Sequence, residues 1–200
     1  MNLRAIGVVF LLALSGALQA QPNGILLVAK PGLADPNFSE TVVLVTRTGE
    51  GNPVGVILNR PTTLHLADVA PKFPGARNFA EALYAGGPVM REVIIALFAA
   101  ETPPRETAFP VVPGVYLSMH PLNIERVVAA PATRARLYAG FSGWAPSQLE
   151  AEIDSGSWYV LRATEDLIFR RDTAGMWADL VAQARGERTA HDSATTVAVR

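Results

Sequence analysis

Beyond residue 23 the chain opens with three apolar runs of strand length, Gly24-Ile25-Leu26-Leu27-Val28-Ala29, Thr41-Val42-Val43-Leu44-Val45 and Val54-Gly55-Val56-Ile57-Leu58. Short runs rich in Val, Ile and Leu predict buried strands. The polar turn Asp35-Pro36-Asn37-Phe38 separates the first two, and Gly49-Glu50-Gly51 reads as a hairpin turn before the third. The third run ends at Asn59-Arg60-Pro61, where Pro61 lacks the N–H a ladder needs.

The pattern then changes. Leu64 to Phe73 predicts a short helix stopped by Pro74-Gly75, and Phe79 to Tyr84 leads into the turn Gly86-Gly87-Pro88-Val89. Val93 to Phe98 is an unbroken apolar run and predicts a buried strand. The Pro- and Thr-rich stretch from Glu101 to Pro113 predicts a surface loop. Val115 to Met119 reads as a strand and Leu122 to Ala130 as a short helix. Leu137 to Phe141 reads as a strand running into Gly140-Phe141-Ser142-Gly143-Trp144.

Pro146 suits a first helical turn, so Pro146 to Ile153 predicts a helix ended by Gly156. Leu149 and Ile153 share one face of it, Gln148 and Glu152 another. Ser157 to Arg162 alternates as a strand, with Trp158 and Val160 on one face and Tyr159 and Leu161 on the other. Thr173 to Arg185 predicts an amphipathic helix with the stripe Met176, Leu180, Ala184. Strands and helices mix without regular βαβ alternation, repeat or linker, which predicts a single α+β domain over residues 21–186 and a loose polar tail over 187–200.

The first twenty residues carry Arg4, an apolar stretch from Ala5 to Leu14 and the small residues Ser15-Gly16-Ala17. That order predicts a signal peptide over residues 1–20, cleaved after Ala17 or Ala20. The apolar stretch is shorter than the roughly 20 residues a bilayer span needs. The expected location is therefore periplasmic or secreted, with no membrane attachment after cleavage. The chain has no cysteine, which excludes disulfides, thiol nucleophiles and Cys-ligated zinc. A formal net charge of −1 is no nucleic-acid footprint, and no nucleic-acid partner is expected of an exported protein.

No reaction is written in the motifs. Gly49-Glu50-Gly51 with Gly55 misses the dinucleotide spacing, and Trp144 stands where a nucleophile elbow needs its last glycine. His65, His120 and His191 are isolated from one another, so neither a metal nor a cofactor is expected. The candidate ligand site is Asp35, Asn37, Asn59 and Arg60 with the Gly86-Gly87 turn, edged by Trp144 and Gln148. Arg60 offers a rigid fork for a carboxylate or phosphate, and glycine N–H groups can face an anion. The expected partner is a small anionic ligand or another protein. The structural alternative is that Arg60 pairs with Asp35 or Glu40 and pins two loops, while the Asp35 and Gly86 segments are tight turns. Two further function classes stand beside a binding domain. One is an enzyme with Asp35 or His120 as base and Arg60 as electrostatic stabiliser. The other is a cytoplasmic regulator, should the N-terminal segment not be a signal.

Several motifs in order carry a resemblance. They are Gly24 to Ala29, Pro31 and Leu33 leading into Asp35-Pro36-Asn37-Phe38, Val42-Val43-Leu44, Gly51 and Gly55 leading into Leu58-Asn59-Arg60-Pro61, Gly86-Gly87-Pro88-Val89, Gly140 to Trp144, Gln148-Leu149-Glu150 with Glu152, and Trp158. On these the chain resembles the YqgE/AlgH family over Gly24 to about Arg185. The resemblance implies a compact α+β domain whose sheet curls into a barrel-like, bifurcated arrangement flanked by helices. It also brings a transcriptional-regulator label from one branch and a suggested nucleotide-binding or redox-related role. Two departures stand out. Familiar members begin close to the Gly24 motif, whereas this chain adds an export signal. Where the family often has an acid–His pair after the second strand, this chain has Thr46-Arg47-Thr48.

Overall fold

The first three strands bury both of their faces, which is why their sequences are continuous apolar runs and do not alternate. In β1 (Ile25–Ala29), Leu26 and Val28 join the main core while Leu27 and Ala29 join a second core on the opposite face. The same division holds in β2 (Val42–Arg47), with Leu44 on one side and Val43 and Val45 on the other, and in β3 (Pro53–Ile57), with Val56 opposite Ile57. A third cluster, around Leu66, Leu83, Phe98, Ile124 and Leu137, fills the other end of the domain. The computed structural model describes residues 24–130 and 134–197, so the segment read as an export signal lies outside the described residues.

The remaining elements are β4 (Pro61–His65), α1 (Leu66–Val69), β5 (Ala82–Ala85), β6 (Val89–Ala99), β7 (Phe109–Val112), β8 (Val115–Ser118), α2 (Pro121–Ala129), β9 (Ala135–Gly143), α3 (Gln148–Asp154), β10 (Trp158–Arg162), α4 (Glu165–Ile168) and α5 (Met176–Val197). The sheet runs β10-β1-β2-β3-β9-β6-β8-β7 and is antiparallel along this path. It branches at β9. That strand meets β3 through Ser142 and Gly143, β6 along its earlier length, and β5 in parallel at Tyr138 and Ala139. The sheet also curls without closing. The Gly24 N–H donates to the Val111 carbonyl at 2.7 Å, and Thr46 Oγ1 to the Pro110 carbonyl at 2.7 Å, bringing β7 over the start of β1 and the end of β2. The fold is a single α+β domain with a mostly antiparallel sheet.

Several segments differ from the sequence pattern; the helix expected from Pro146, for one, begins only at Gln148. The helix expected over Leu64 to Phe73 shrinks to α1, because Pro61–His65 is extended and pairs with β5, where Thr62 Oγ1 donates to the Leu83 carbonyl at 2.7 Å. The helix starts only after His65, whose N–H is capped by Asp68 at 2.8 Å. The segment expected as a loop from Glu101 to Pro113 contains β7, because Phe109, Val111 and Val112 pack against the main core. The short helix α4 is new; Thr164 caps it by accepting the Leu167 N–H. The amphipathic stripe of α5 packs as its spacing requires, with Met176, Leu180 and Ala184 all buried, and the helix runs on past Gly186 into the stretch read as a polar tail.

Among the described residues, one buried core group is left without a hydrogen-bond partner. The Tyr138 hydroxyl is buried and makes no hydrogen bond. Burial pushes its pKa well above the usual tyrosine value, while the neighbouring Arg136 guanidinium pulls the other way. Arg136 lies over the Tyr84 ring at 4.9 Å and donates to the carbonyls of Ile168 and Arg170. An unpaired buried hydroxyl costs about 1–3 kcal/mol. Tyr138→Phe is therefore expected to raise stability by about 1 kcal/mol, read as the urea midpoint. The folded-state pKa is raised, so the phenol's contribution is fully present below the unfolded value near 10 and fades as pH rises above it. The alkaline fall in stability should be shallower in Tyr138→Phe; an identical fall would mean Tyr138 ionises freely in the fold.

Candidate functional site

The motif residues come together into one hydrogen-bonded scaffold. It begins in the loop between β1 and β2. Asp35 Oδ1 accepts the Asn37 N–H at 2.8 Å, and the Asp35 carbonyl accepts the Phe38 and Ser39 N–H groups at 3.0 and 2.8 Å. This is the turn that an Asp-Pro-Asn sequence favours.

Two side chains from the end of β3 hold the turn in place. Arg60 Nη1 donates to the Asn37 carbonyl at 2.6 Å, and Nη2 to the carbonyls of Pro36 and Ser39 at 3.4 and 3.3 Å. Asn59 uses both ends of its amide. Oδ1 accepts the Val42 N–H at 2.8 Å and Nδ2 donates to the Glu40 carbonyl at 2.9 Å. Arg60 thus pins the loops through backbone carbonyls, and among the described residues it makes no salt bridge to Asp35 or Glu40. Burial lowers the Arg60 pKa below its ordinary value, and the nearby Asp35 charge partly restores it.

The Gly86-Gly87 turn lies behind this clamp. The Ala85 N–H donates to the Arg60 carbonyl at 2.9 Å, and the Gly86 carbonyl accepts the Ile57 N–H at 2.9 Å and the Ser142 hydroxyl at 3.2 Å. The Gly86 N–H is itself taken by the Ala139 carbonyl at 2.9 Å. A Cβ at Gly86 would fall on the Gly140 carbonyl oxygen, and one at Gly87 on the Phe141 carbonyl, so glycine here permits close approach to β9.

Phe38 joins the clamp to the third part. Its ring stacks on Trp144 at 6.1 Å and meets Trp158 edge-on at 5.6 Å. Both indoles donate to one carboxylate oxygen, Glu152 Oε2, at 3.0 Å each. Glu152 Oε1 accepts from Gln148 Nε2 at 2.9 Å, and Gln148 Oε1 accepts the Ala145 N–H at 3.0 Å. The i, i+4 spacing of Gln148 and Glu152 on α3 makes the contact between their side chains possible. Glu152 is thus the centre of the aromatic end. Its sequence signals were the helix face shared with Gln148 and its place beside the Gln148-Leu149-Glu150 motif.

The structure therefore gathers Asn59 and Arg60 against the loop that carries Asp35 and Asn37, sets Gly86 and Gly87 behind them, and links Trp144 and Gln148 to them through Phe38. It does not bring His120 to this cluster. His120 caps α2, with Nδ1 accepting the Leu122 N–H at 3.3 Å and Nε2 lying 3.8 Å from Glu106, and it shares no hydrogen-bond partner with Arg60. Among the described residues no group of three or more His, Asp or Glu side chains is placed to hold a metal ion.

Two cavities lie elsewhere. One of about 450 Å³ is lined by Phe98, Arg105, Asn123, Arg126 and Val127 among others. One of about 300 Å³ lies between Gly24, Val111 to Pro113 and Arg162 to Glu165. None of the candidate ligand-site residues lines either. Sequence reading missed both, because each draws its lining from segments far apart in the chain.

Comparison with known proteins agrees with this architecture. The AlgH-like family model matches residues 26–189. A UPF0301 protein of Thermobifida fusca is 35% identical over 174 residues, covering 82% of this chain and 88% of the relative. One from Chlorobaculum tepidum is 30% identical over 167 residues, covering 82% and 87%. The solution structure of AlgH from Pseudomonas aeruginosa superposes with a TM-score of 0.66 at 26% identity, covering 84% of this chain and 92% of that one. A crystal structure from Corynebacterium diphtheriae gives 0.61 at 25% identity, covering 81% and 86%. The chain belongs to the AlgH-like family, whose relatives include the UPF0301 proteins.

Proposed function

We propose that this chain is an exported accessory domain that works by binding and not by covalent chemistry, with a binding rim formed by Asp35, Asn37, Arg60 and Gln148. The observation that carries the reading is how the polar side chains of the motif cluster are engaged. Arg60 holds three carbonyls, Asn59 two backbone groups, and Glu152 two indoles and an amide. A general base or nucleophile must be free to exchange a proton with substrate. These groups instead fix a shape.

The rim still faces outward with donors. Among the described residues the Asn37 side-chain amide has no hydrogen-bond partner. A guanidinium carries five N–H groups, and the Arg60 carbonyl contacts leave some of them open. Such donors suit a carboxylate, on a small ligand or on a protein partner's side chain. Gly86, Gly87 and Trp144 then act as the frame beneath the rim. Export rests on the charged, apolar and small-residue order of the first twenty residues, and it places the rim outside the cytoplasm, where a nucleic-acid role does not fit.

Alkaline phosphatase fused behind residues 1–23 should be active, because that enzyme needs an oxidising compartment to form its disulfides. An inactive fusion would refute export. For the rim, nitrogen-labelled protein titrated with sodium acetate should show shifts at the side-chain resonances of Asn37 and Arg60. Asn37→Ala should weaken that binding several-fold and move the melting temperature by no more than about 1 °C, since the side chain holds nothing in the fold. Equal acetate binding by wild type and Asn37→Ala would remove the rim.

A further inference from the structure

We propose that the 450 Å³ cleft between the end of β6, the loop over residues 101–107 and α2 binds a monoanionic amphiphile: a molecule with a compact apolar body and a single carboxylate or sulfonate. The inference goes beyond the rim described above and does not depend on it.

The cleft has the size of a small-molecule site, for which about 300–1,000 Å³ is usual. Its floor is apolar. Phe98 is 7% and Val127 4% exposed, and both belong to the core cluster at this end of the domain. Its mouth is basic. Arg105 is exposed, and among the described residues it has no hydrogen-bond or ion-pair partner. An unpaired guanidinium beside an apolar hollow leaves a cation with nothing to neutralise it, in a place where an anion's tail would also be buried.

The walls are fixed before any ligand arrives. Asn123 is 1% exposed, and its amide donates to Ser118 Oγ at 2.9 Å and to the Thr107 carbonyl at 3.2 Å, tying the loop to α2. Asn123 Oδ1 accepts from Arg126 Nη1 at 3.2 Å and aims that second guanidinium along the mouth. Glu106 lies 3.8 Å from Arg126 Nη2 and also 3.8 Å from His120 Nε2. Glu106 offsets the Arg126 charge, so about one uncompensated positive charge remains, that of Arg105. One negative head group matches it. A phosphate dianion would need Arg126 released from Glu106, and it would leave the apolar floor uncovered.

The test uses purified protein, anilinonaphthalene sulfonate as the fluorescent probe, and sodium octanoate and inorganic phosphate as competitors. The probe should brighten on binding, and octanoate should displace it where equal phosphate does not. Arg105→Gln should weaken probe binding about tenfold with no change in melting temperature, since Arg105 supports no contact in the fold. Ala130→Glu, which sets a carboxylate at the exposed rim, should weaken it at least as much. Arg162→Gln, at the second cavity, should leave it unchanged. The proposal is overturned if the probe does not brighten, if Arg105→Gln binds it as wild type does, if phosphate displaces it as well as octanoate, or if Arg162→Gln loses it instead.

Discussion

Replacing Glu152 with alanine is expected to lower the melting temperature by about 6–12 °C, the equivalent of about 3 kcal/mol in a domain of this size. The reason lies in which groups lose their acceptor. Trp144 and Trp158 are 6% and 4% exposed, and each directs its indole N–H at the same oxygen of Glu152. Without that carboxylate two donors stay buried and unpaired, at about 1–3 kcal/mol apiece. Glu152 itself is half-buried, so water can reach part of the vacated space and the loss stays below the upper sum. The Gln148 amide loses its acceptor too, and α3 is released from β10. Glu152→Gln keeps the volume and one carbonyl oxygen for the indoles, but it turns an NH2 group toward the donor of Gln148. It should cost about 1 kcal/mol. The measurements are thermal unfolding by circular dichroism and tryptophan emission, which should shift to longer wavelength in Glu152→Ala. A melting temperature within 2 °C of wild type would show that the carboxylate does not organise the tryptophan pair.

Arg60→Ala should cost about 2 kcal/mol, or about 4–8 °C, because the carbonyls of Pro36, Asn37 and Ser39 lose one shared, charged donor. These carbonyls lie at the surface and regain water, which keeps the cost below that of three buried bonds. Arg60→Lys should restore less than half of the loss. An ammonium is a point donor on a flexible stem and cannot span three carbonyls as the planar fork does. Full rescue by lysine would mean that charge near Asp35 matters at this position and the shape of the guanidinium does not.

The strands were legible because they are locally coded. The runs at Gly24 to Ala29, Val42 to Val45 and Val54 to Leu58 have no polar residue to expose, so burial on both faces follows from composition alone. The stripe of Met176, Leu180 and Ala184 was legible for the same reason, at the helical period. The extended state of Pro61–His65 was not legible, because it depends on pairing with β5, some twenty residues later. Nor was β7, whose Phe109 and Val111 sit in a proline-rich stretch that looks like a loop until the main core covers them.

The candidate site was legible as a list of residues and illegible as a mechanism. Asp35, Asn37, Asn59 and Arg60 do meet, yet the identity of the Arg60 partners could not be read. Backbone carbonyls leave no mark in a sequence, whereas a carboxylate partner such as Asp35 or Glu40 does. Phe38 was visible only as the last letter of a turn motif. Its place between two indoles depends on α3 and β10, more than a hundred residues away.

The central claim is that Arg60 and Phe38 belong to one device, in which the guanidinium fixes the turn that sets the ring against Trp144 and Trp158. A double-mutant cycle on urea unfolding of wild type, Arg60→Ala, Phe38→Ala and the double variant tests this most directly. If the device is real, the two costs overlap and the coupling energy is about 1 kcal/mol or more, because the clamp has little left to hold once the ring is gone. Costs that add to within about 0.5 kcal/mol would contradict it and leave Arg60 and Phe38 as independent parts of the surface.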